Sequence, residues 1–230
     1  MLEYLIMVPA LVLASNSPRR RQLLALTGLE FATWTADVDE QPLPGEPASD
    51  CVLRLAREKA IAAEADASAS TSACLILAFD TLVVDGMHIL GKPSSQEDAA
   101  RVLRQLRNRS HQVHTALAIY SPSEERLATD LCVTNVPMRA YTDAEIQAYV
   151  ESGDPLDKAG SYAIQHDGFH PVEGLTGCYA SVMGLPLCHL ARTLPQFGLS
   201  VAVDLPVRCQ AALQYECPIS AAVLRGEPVG

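Results

Sequence analysis

The sequence predicts an α/β protein built on a mixed sheet, and three observations lead there. Ala10-Leu11-Val12-Leu13-Ala14 is an unbroken apolar run too short for a helix, followed at once by a helix-start signal, the pattern of a strand feeding a crossover. Cys74 to Phe79 is apolar throughout, as in a strand covered on both faces. Val83 to Leu90, and the stretches 111–121 and 127–139, read instead as hairpin strands around turn residues. Crossovers and hairpins in one chain imply a mixed sheet rather than a Rossmann core.

Ser17 is a suitable N-cap, and Pro18 suits the first helical position because its missing N–H has no helical partner in any case. Gly28 can close that helix, over residues 18–27. A strand over Glu30 to Ala36 leads into Asp37-Val38-Asp39-Glu40 and the Pro-rich stretch 41–47. A helix from Ser49 to Ala67 follows, with Val52, Leu55, Ala56, Ala60 and Ala63 at helical spacing, and residues 66–73 read as a flexible connection. The strand from Cys74 is expected to end on Asp80-Thr81, and Asp85-Gly86 to turn the first hairpin. Ser95 caps a helix over 96–107, with Glu97 and Asp98 at its positive end. Thr142 caps another, to Glu151, which Gly153-Asp154-Pro155 breaks. Residues 158–165 and 175–183 read as extended, and Gly184-Leu185-Pro186 opens the last clear helix, near 187–197.

The 230 residues carry 17 Lys+Arg against 27 Asp+Glu, a formal charge of −10, and 49% are apolar. A chain of this size buries about 70–75% of its unfolded surface on folding, so it needs no disulfide staples. The acidic balance argues against a nucleic-acid coat or a membrane-surface binder. Seven cysteines, an odd count with no CxxC pair, read as reduced intracellular thiols. Met1 to Ala14 is apolar but lacks a basic leader, so it reads as leading into a buried strand of a cytoplasmic protein. No stretch reaches the roughly 18 apolar residues of a membrane span. Cys178, Cys188, His189, Cys209 and Cys217 could together hold zinc or a cluster, but their long, irregular spacing favours buried or idle thiols over a metal site.

Three constellations carry chemistry. Ser15-x-Ser17-Pro18-Arg19-Arg20 sits where a strand gives way to a helix, and free N–H groups, hydroxyls and guanidinium forks there favour an anion such as phosphate. The alternative is a capped helix with a solvated basic first turn, although cations at that end oppose the helix dipole. Asp80-Thr81, at the end of a buried strand, can bind Mg²⁺ or act as a base, or can simply form a turn. A haloacid-dehalogenase nucleophile strand is a rival reading, weakened because Leu82 stands where a second Asp belongs. Asp37-x-Asp39-Glu40, Arg57-Glu58-Lys59-Ala60 and Gly91-Lys92-Pro93 supply carboxylates for a divalent cation and lysines for phosphate oxygens. Taken singly, each is also an ordinary solvated surface.

In their order these pieces resemble the Maf-type nucleoside triphosphate pyrophosphatases. The resemblance runs through Ala14-Ser15-Asn16-Ser17-Pro18-Arg19-Arg20, Val38-Asp39-Glu40, Leu55 to Ala60, Asp80-Thr81, Gly91-Lys92-Pro93, Pro155 to Gln165 and Val182-x-Gly184-Leu185-Pro186. It implies an elongated, twisted mixed sheet flanked by helices, in two lobes around a cleft, over residues 8–198, with 199–230 an extension of unknown role. It implies hydrolysis between the α and β phosphates with a divalent metal cation, Mg²⁺ or Mn²⁺, and a homodimer. Asp80 would be the base and share the metal with Glu40. Arg20, Lys59 and Lys92, with Ser15 and Ser17, would meet the triphosphate, and Arg19, Thr81 and Gln165 the base. Those last three residues match the dTTP/UTP branch, whereas the 7-methyl-GTP branch carries Trp, Gln and Glu there. Two positions depart from the family: Phe79, where a small residue is usual, and His166, where glycine often stands. A nucleotide-binding regulator of cell division with little turnover is the competing class, and pyrophosphate release separates the two.

Overall fold

A computed structural model describes residues 10–35, 37–64 and 74–230. The part of the apolar N-terminal stretch before Ala10 and the whole expected connection at 66–73 lie outside those residues. The first strand and helix are β1 (Ala10–Ala14) and α1 (Pro18–Ala25), with Ser17 at the N-cap. There follow β2 (Phe31–Trp34), α2 (Ala48–Ala62), β3 (Cys74–Asp85), β4 (His88–Leu90) and α3 (Gln96–Leu106). The second half holds β5 (Ser110–Ser121), β6 (Arg126–Pro137), α4 (Asp143–Glu151), α5 (Tyr179–Val182), α6 (Leu187–Thr193), α7 (Leu205–Leu213) and α8 (Ser220–Leu224).

The strands form one mixed sheet in the order β2-β1-β3-β5-β6, with β4 also on β3. The β1–β2 and β1–β3 pairs are parallel, and every other pair is antiparallel. A core lies on each face. On one face α2 lays Val52, Ala56 and Ala60, with Ala63 just beyond its end, against Val12, Ile76, Ala78, Ala116 and Ala118; most of these side chains are small, which lets the helix sit close. The other face carries the larger core, from Leu77, Phe79 and Leu117 to Tyr141, Ile146 and Leu190 under α3, α4 and α6.

Strand β3 does not end at Asp80-Thr81 as expected but runs on to Asp85. Its partner β5 explains this, because the antiparallel ladder continues without interruption from Ile76↔Tyr120 to Val84↔Gln112. On β3's other edge the pairing does break. β1 matches it only as far as Leu77, and β4 resumes at Val83. Positions 78–82 therefore have a strand neighbour on one side only, and the sheet has a gap there.

Two further expectations are corrected. Residues 158–165 are not extended: a 3-10 turn spans Ala159–Ser161, with Gly160 at φ +70° and Ser161 at +61°. A Cβ at Gly160 would come within 2.8 Å of Val83 Cγ1, so close approach to β3 requires glycine there. Within 175–183 the chain forms α5, whose first turn the Cys178 sulfur caps through Ser181 N–H. Helix α6 is also not the last. The tail adds α7 and α8 and buries Leu205 and Val223, while Arg192 grips Asp130 and the main-chain oxygens of Val223 and Glu227.

Candidate active site

The gap in the sheet becomes a site because of what flanks it. β1 runs parallel to β3 and ends at Ala14, so its continuation, Ser15 to Ser17, enters the gap from one end. β4 runs antiparallel and ends at Leu90, so Gly91-Lys92-Pro93 enters from the other. Neighbouring side chains on β3 point to opposite faces. Asp80 therefore faces α2, while Thr81 faces the larger core, and the cleft reaches both through the gap. Ser15, Ser17, Arg19, Arg20, Glu40, Lys59, Asp80, Thr81, Lys92 and Gln165 all line this one cleft of about 470 Å³. That is within the roughly 300–1,000 Å³ usual for small-molecule sites.

On the α2 face, Lys59 extends from the helix to Asp80, with Nζ 2.6 Å from Oδ1, and also pairs with Glu40. Lys59 and Asp80 are both buried, whereas the Glu40 side chain is 57% exposed. Partial burial pushes the Glu40 carboxyl up. The Lys59 hydrogen bond and charge, aided by Lys92 and Arg20, outweigh this and hold it below its ordinary value. Asp80 Oδ2 is buried with no hydrogen-bond partner among the described residues, an expensive arrangement unless a ligand completes it.

The other face is built from neutral dipoles around one cation. Arg20, half-buried in the first turn of α1, is held by three contacts: its Nε donates to Gly184 O at 2.9 Å, Nη1 to Ser15 Oγ at 3.3 Å and Nη2 to Thr81 Oγ1 at 3.2 Å. Burial pushes its guanidinium below the ordinary value, and Asp80 pulls it partly back. Ser15 Oγ also accepts from Ser17 N, and Ser17 Oγ from Arg20 N. No acidic side chain occupies the first turn of α1, so the helix end that carries Arg19 and Arg20 has no internal counter-ion. The side chains of Arg19, Lys92 and Gln165 line the cleft without a hydrogen bond among the described residues.

Sequence reasoning did not find Thr115, whose Oγ1 lies 3.1 Å from Thr81 Oγ1, nor the main-chain oxygens of Ser181 and Gly184. A single hydroxyl in the apolar middle of β5 was the available signal for Thr115. Tyr162 and Lys158 also line the cleft, but Lys158 is fully engaged by Asp154 and Asp157. The two departures from the family pattern stay out of it. Phe79 is buried in the larger core, and His166 stacks edge-on against Tyr149, 4.7 Å between ring centres, with Nδ1 accepting from Phe169 N. Among the described residues no group of three or more His, Cys, Asp or Glu is placed to hold a metal ion. Cys178, Cys188, Cys209 and Cys217 line one small cavity under the tail, and no disulfide links them. Among the described residues no helix is long and apolar enough to cross a membrane.

A model of the Maf-like protein family matches residues 10–197. A dTTP/UTP pyrophosphatase of Geobacter sulfurreducens is 44% identical over 188 residues, spanning 82% of this chain and 96% of that protein. Another, from Anaeromyxobacter dehalogenans, is 46% identical over 202 residues, spanning 87% of this chain and 100% of its own. Among solved structures, a nucleoside-triphosphatase (dITP/XTP pyrophosphatase) from Mycobacterium abscessus superposes with a TM-score of 0.40 at 16% identity, over 82% of this chain and 94% of that one.

Proposed function

Because the chain belongs to the Maf family, we propose that it hydrolyses nucleoside triphosphates to the monophosphate and pyrophosphate, with dTTP and UTP preferred. The observation that carries the reading is the Oδ2 of Asp80, buried without a hydrogen-bond partner among the described residues in a sheet gap, with Lys59 on the carboxylate's other oxygen. Water attacks the α phosphorus, the bond to the bridging oxygen breaks, and the water's proton passes to Asp80 Oδ2. Lys59 fixes the other carboxylate oxygen and so orients this base. Arg20, Lys92 and the Ser15–Ser17 donors hold the pyrophosphate end, and positioning with charge stabilisation supplies most of the acceleration.

The donor set fits a hard divalent cation, Mg²⁺ or Mn²⁺. Asp80 and Glu40 offer oxygens only, and two carboxylates suit an ion that keeps waters and substrate phosphates as its remaining ligands. When bound, the ion offsets the charge that develops on the phosphates. Arg19, Thr81 and Gln165 select the base. A Gln amide offers both donor and acceptor to the paired carbonyl and N–H of uracil or thymine. The same reading extends to a homodimer working in the cytoplasm; family likeness supports it, and light scattering of the purified chain checks the dimer. The experiment is kcat/KM with pyrophosphate detection for dTTP, UTP, ATP and 7-methyl-GTP under saturating Mg²⁺ or Mn²⁺. The pyrimidine nucleotides should lead. A lead for the methylated purine would overturn the preference alone, and no pyrophosphate from any of them would overturn the activity.

A further inference from the structure

Thr115 sits fully buried in the middle of β5, and no step above uses it. Its hydroxyl has one proton and two lone pairs. The main-chain oxygen of Ser181, 2.9 Å away, can only accept, so it takes that proton. In the 3.1 Å contact between the two threonines, Thr81 must then be the donor. With its proton committed to the interior, Thr81 has only lone pairs left, and one of them meets Arg20 Nη2 at 3.2 Å. Ser181 O also accepts from Gly184 N at 2.8 Å, and Gly184 O takes Arg20 Nε at 2.9 Å. Two arms of the Arg20 fork therefore run back, by separate routes, to one carbonyl of α5.

We propose that Thr115 is a positioning residue for Arg20. Its hydroxyl sets the direction of the proton chain and ties β5 to the α5–Gly184 turn, which holds the guanidinium in one orientation. The proposal rests on the reading of Arg20 as a triphosphate ligand. Packing alone does not demand a hydroxyl here, because valine has the same shape. Valine would leave Ser181 O still satisfied by Gly184 N–H, but it would release the Thr81 proton to point at Arg20 and compete with the guanidinium N–H.

The test compares Thr115→Val and Thr115→Ser by titration with a dUTP analogue carrying an α,β-imido bridge and by steady-state turnover of dTTP. Thr115→Val should bind the analogue about tenfold more weakly, the equivalent of one lost hydrogen bond, and KM should rise by the same factor. Its kcat should stay within about threefold, and Thr115→Ser should keep wild-type affinity. Thr81→Val added to Thr115→Val should cost nothing beyond the larger single effect, because both act through one chain. Should valine prevent folding, as judged by circular dichroism, Thr115→Ala carries the same expectation. Wild-type affinity in Thr115→Val, an equal loss in a folded Thr115→Ser, or full additivity with Thr81→Val overturns the proposal alone. A wild-type chain that neither hydrolyses nor binds any nucleotide overturns the reading of the site with it.

Discussion

Asp80 and Thr81 are consecutive residues of β3, and the surroundings they meet differ in kind. On the α2 face, Asp80 enters a lattice of full charges in which Lys59 is shared between two carboxylates. On the opposite face, Thr81 enters a lattice of hydroxyls and main-chain oxygens around a single arginine. The first arrangement is open to exchange, since a cation or a phosphate can compete for each member. The second is directional, since each hydrogen bond there fixes the next. A strand that alternates its faces lets one enzyme keep its proton chemistry apart from its orienting contacts within two residues.

Asp80→Asn should break the charged side most severely. Loss of the proton acceptor lowers kcat by about 10²–10⁴-fold while the fold and nucleotide binding persist, and wild-type turnover in that variant would remove Asp80 from the chemistry. Lys59→Met comes next and acts on stability as well as activity. It leaves Asp80 buried and unpaired, a change that typically costs about 3–5 kcal/mol, so its denaturation midpoint should fall well below that of Asp80→Asn, in which Lys59 keeps Glu40. Equal midpoints for the two variants would mean that the charged lattice is not what holds this face.

Acid should separate the site from the scaffold. Burial lowers the His111 and His189 imidazoles to about 4, against an unfolded value of about 6.5. Between those limits the unfolded chain binds more protons, so stability falls as pH drops from about 6.5 towards about 4, by up to about 1.4 kcal/mol per histidine per unit. Glu40, held low, stays ionised through most of that range. Activity lost near pH 5 should therefore track unfolding, and His111→Gln should flatten the slope of the melting temperature against pH. An unchanged slope would place the protons elsewhere. The smallest effect is expected far from either face. Thr142→Ala removes the hydroxyl of the Thr142–Glu145 capping box and should cost about 1 kcal/mol of stability with no change in kcat/KM. A kinetic change there would blur the division between site and scaffold.

The sequence disclosed most of the charged side and little of the neutral one. Ser17-Pro18 marked a helix start, apolar runs marked β1 and β3, and short charged motifs marked Arg20, Glu40, Lys59 and Lys92, because carboxylates and cations gathered next to strand ends and helix starts suit metal and phosphate chemistry. The length of β3 was not legible. Its second half is held by antiparallel pairing to β5, a long-range partner that no local pattern names. Residues 158–165 and 175–183 misled for a related reason: their turns depend on left-handed backbone at Gly160 and Ser161 and on a sulfur cap from Cys178. Thr115 stayed hidden because its partners are a main-chain oxygen 66 residues away and a hydroxyl 34 residues away.

The gap over positions 78–82 also makes β3 a ruler. The Ser15 loop and the Lys92 loop enter from its two ends, and both flanking strands are registered on β3, so the strand residues between them fix how far apart the two loops stand. Each residue contributes about 3.3 Å, and its removal also turns every later side chain to the opposite face. Deleting Ala78 or Phe79, ahead of Asp80 in the gap, would thus shorten the span and put the carboxylate and the hydroxyl on each other's sides at the same stroke. The reach of this cleft is quantised, and a chain of this fold can adjust it only from the loops.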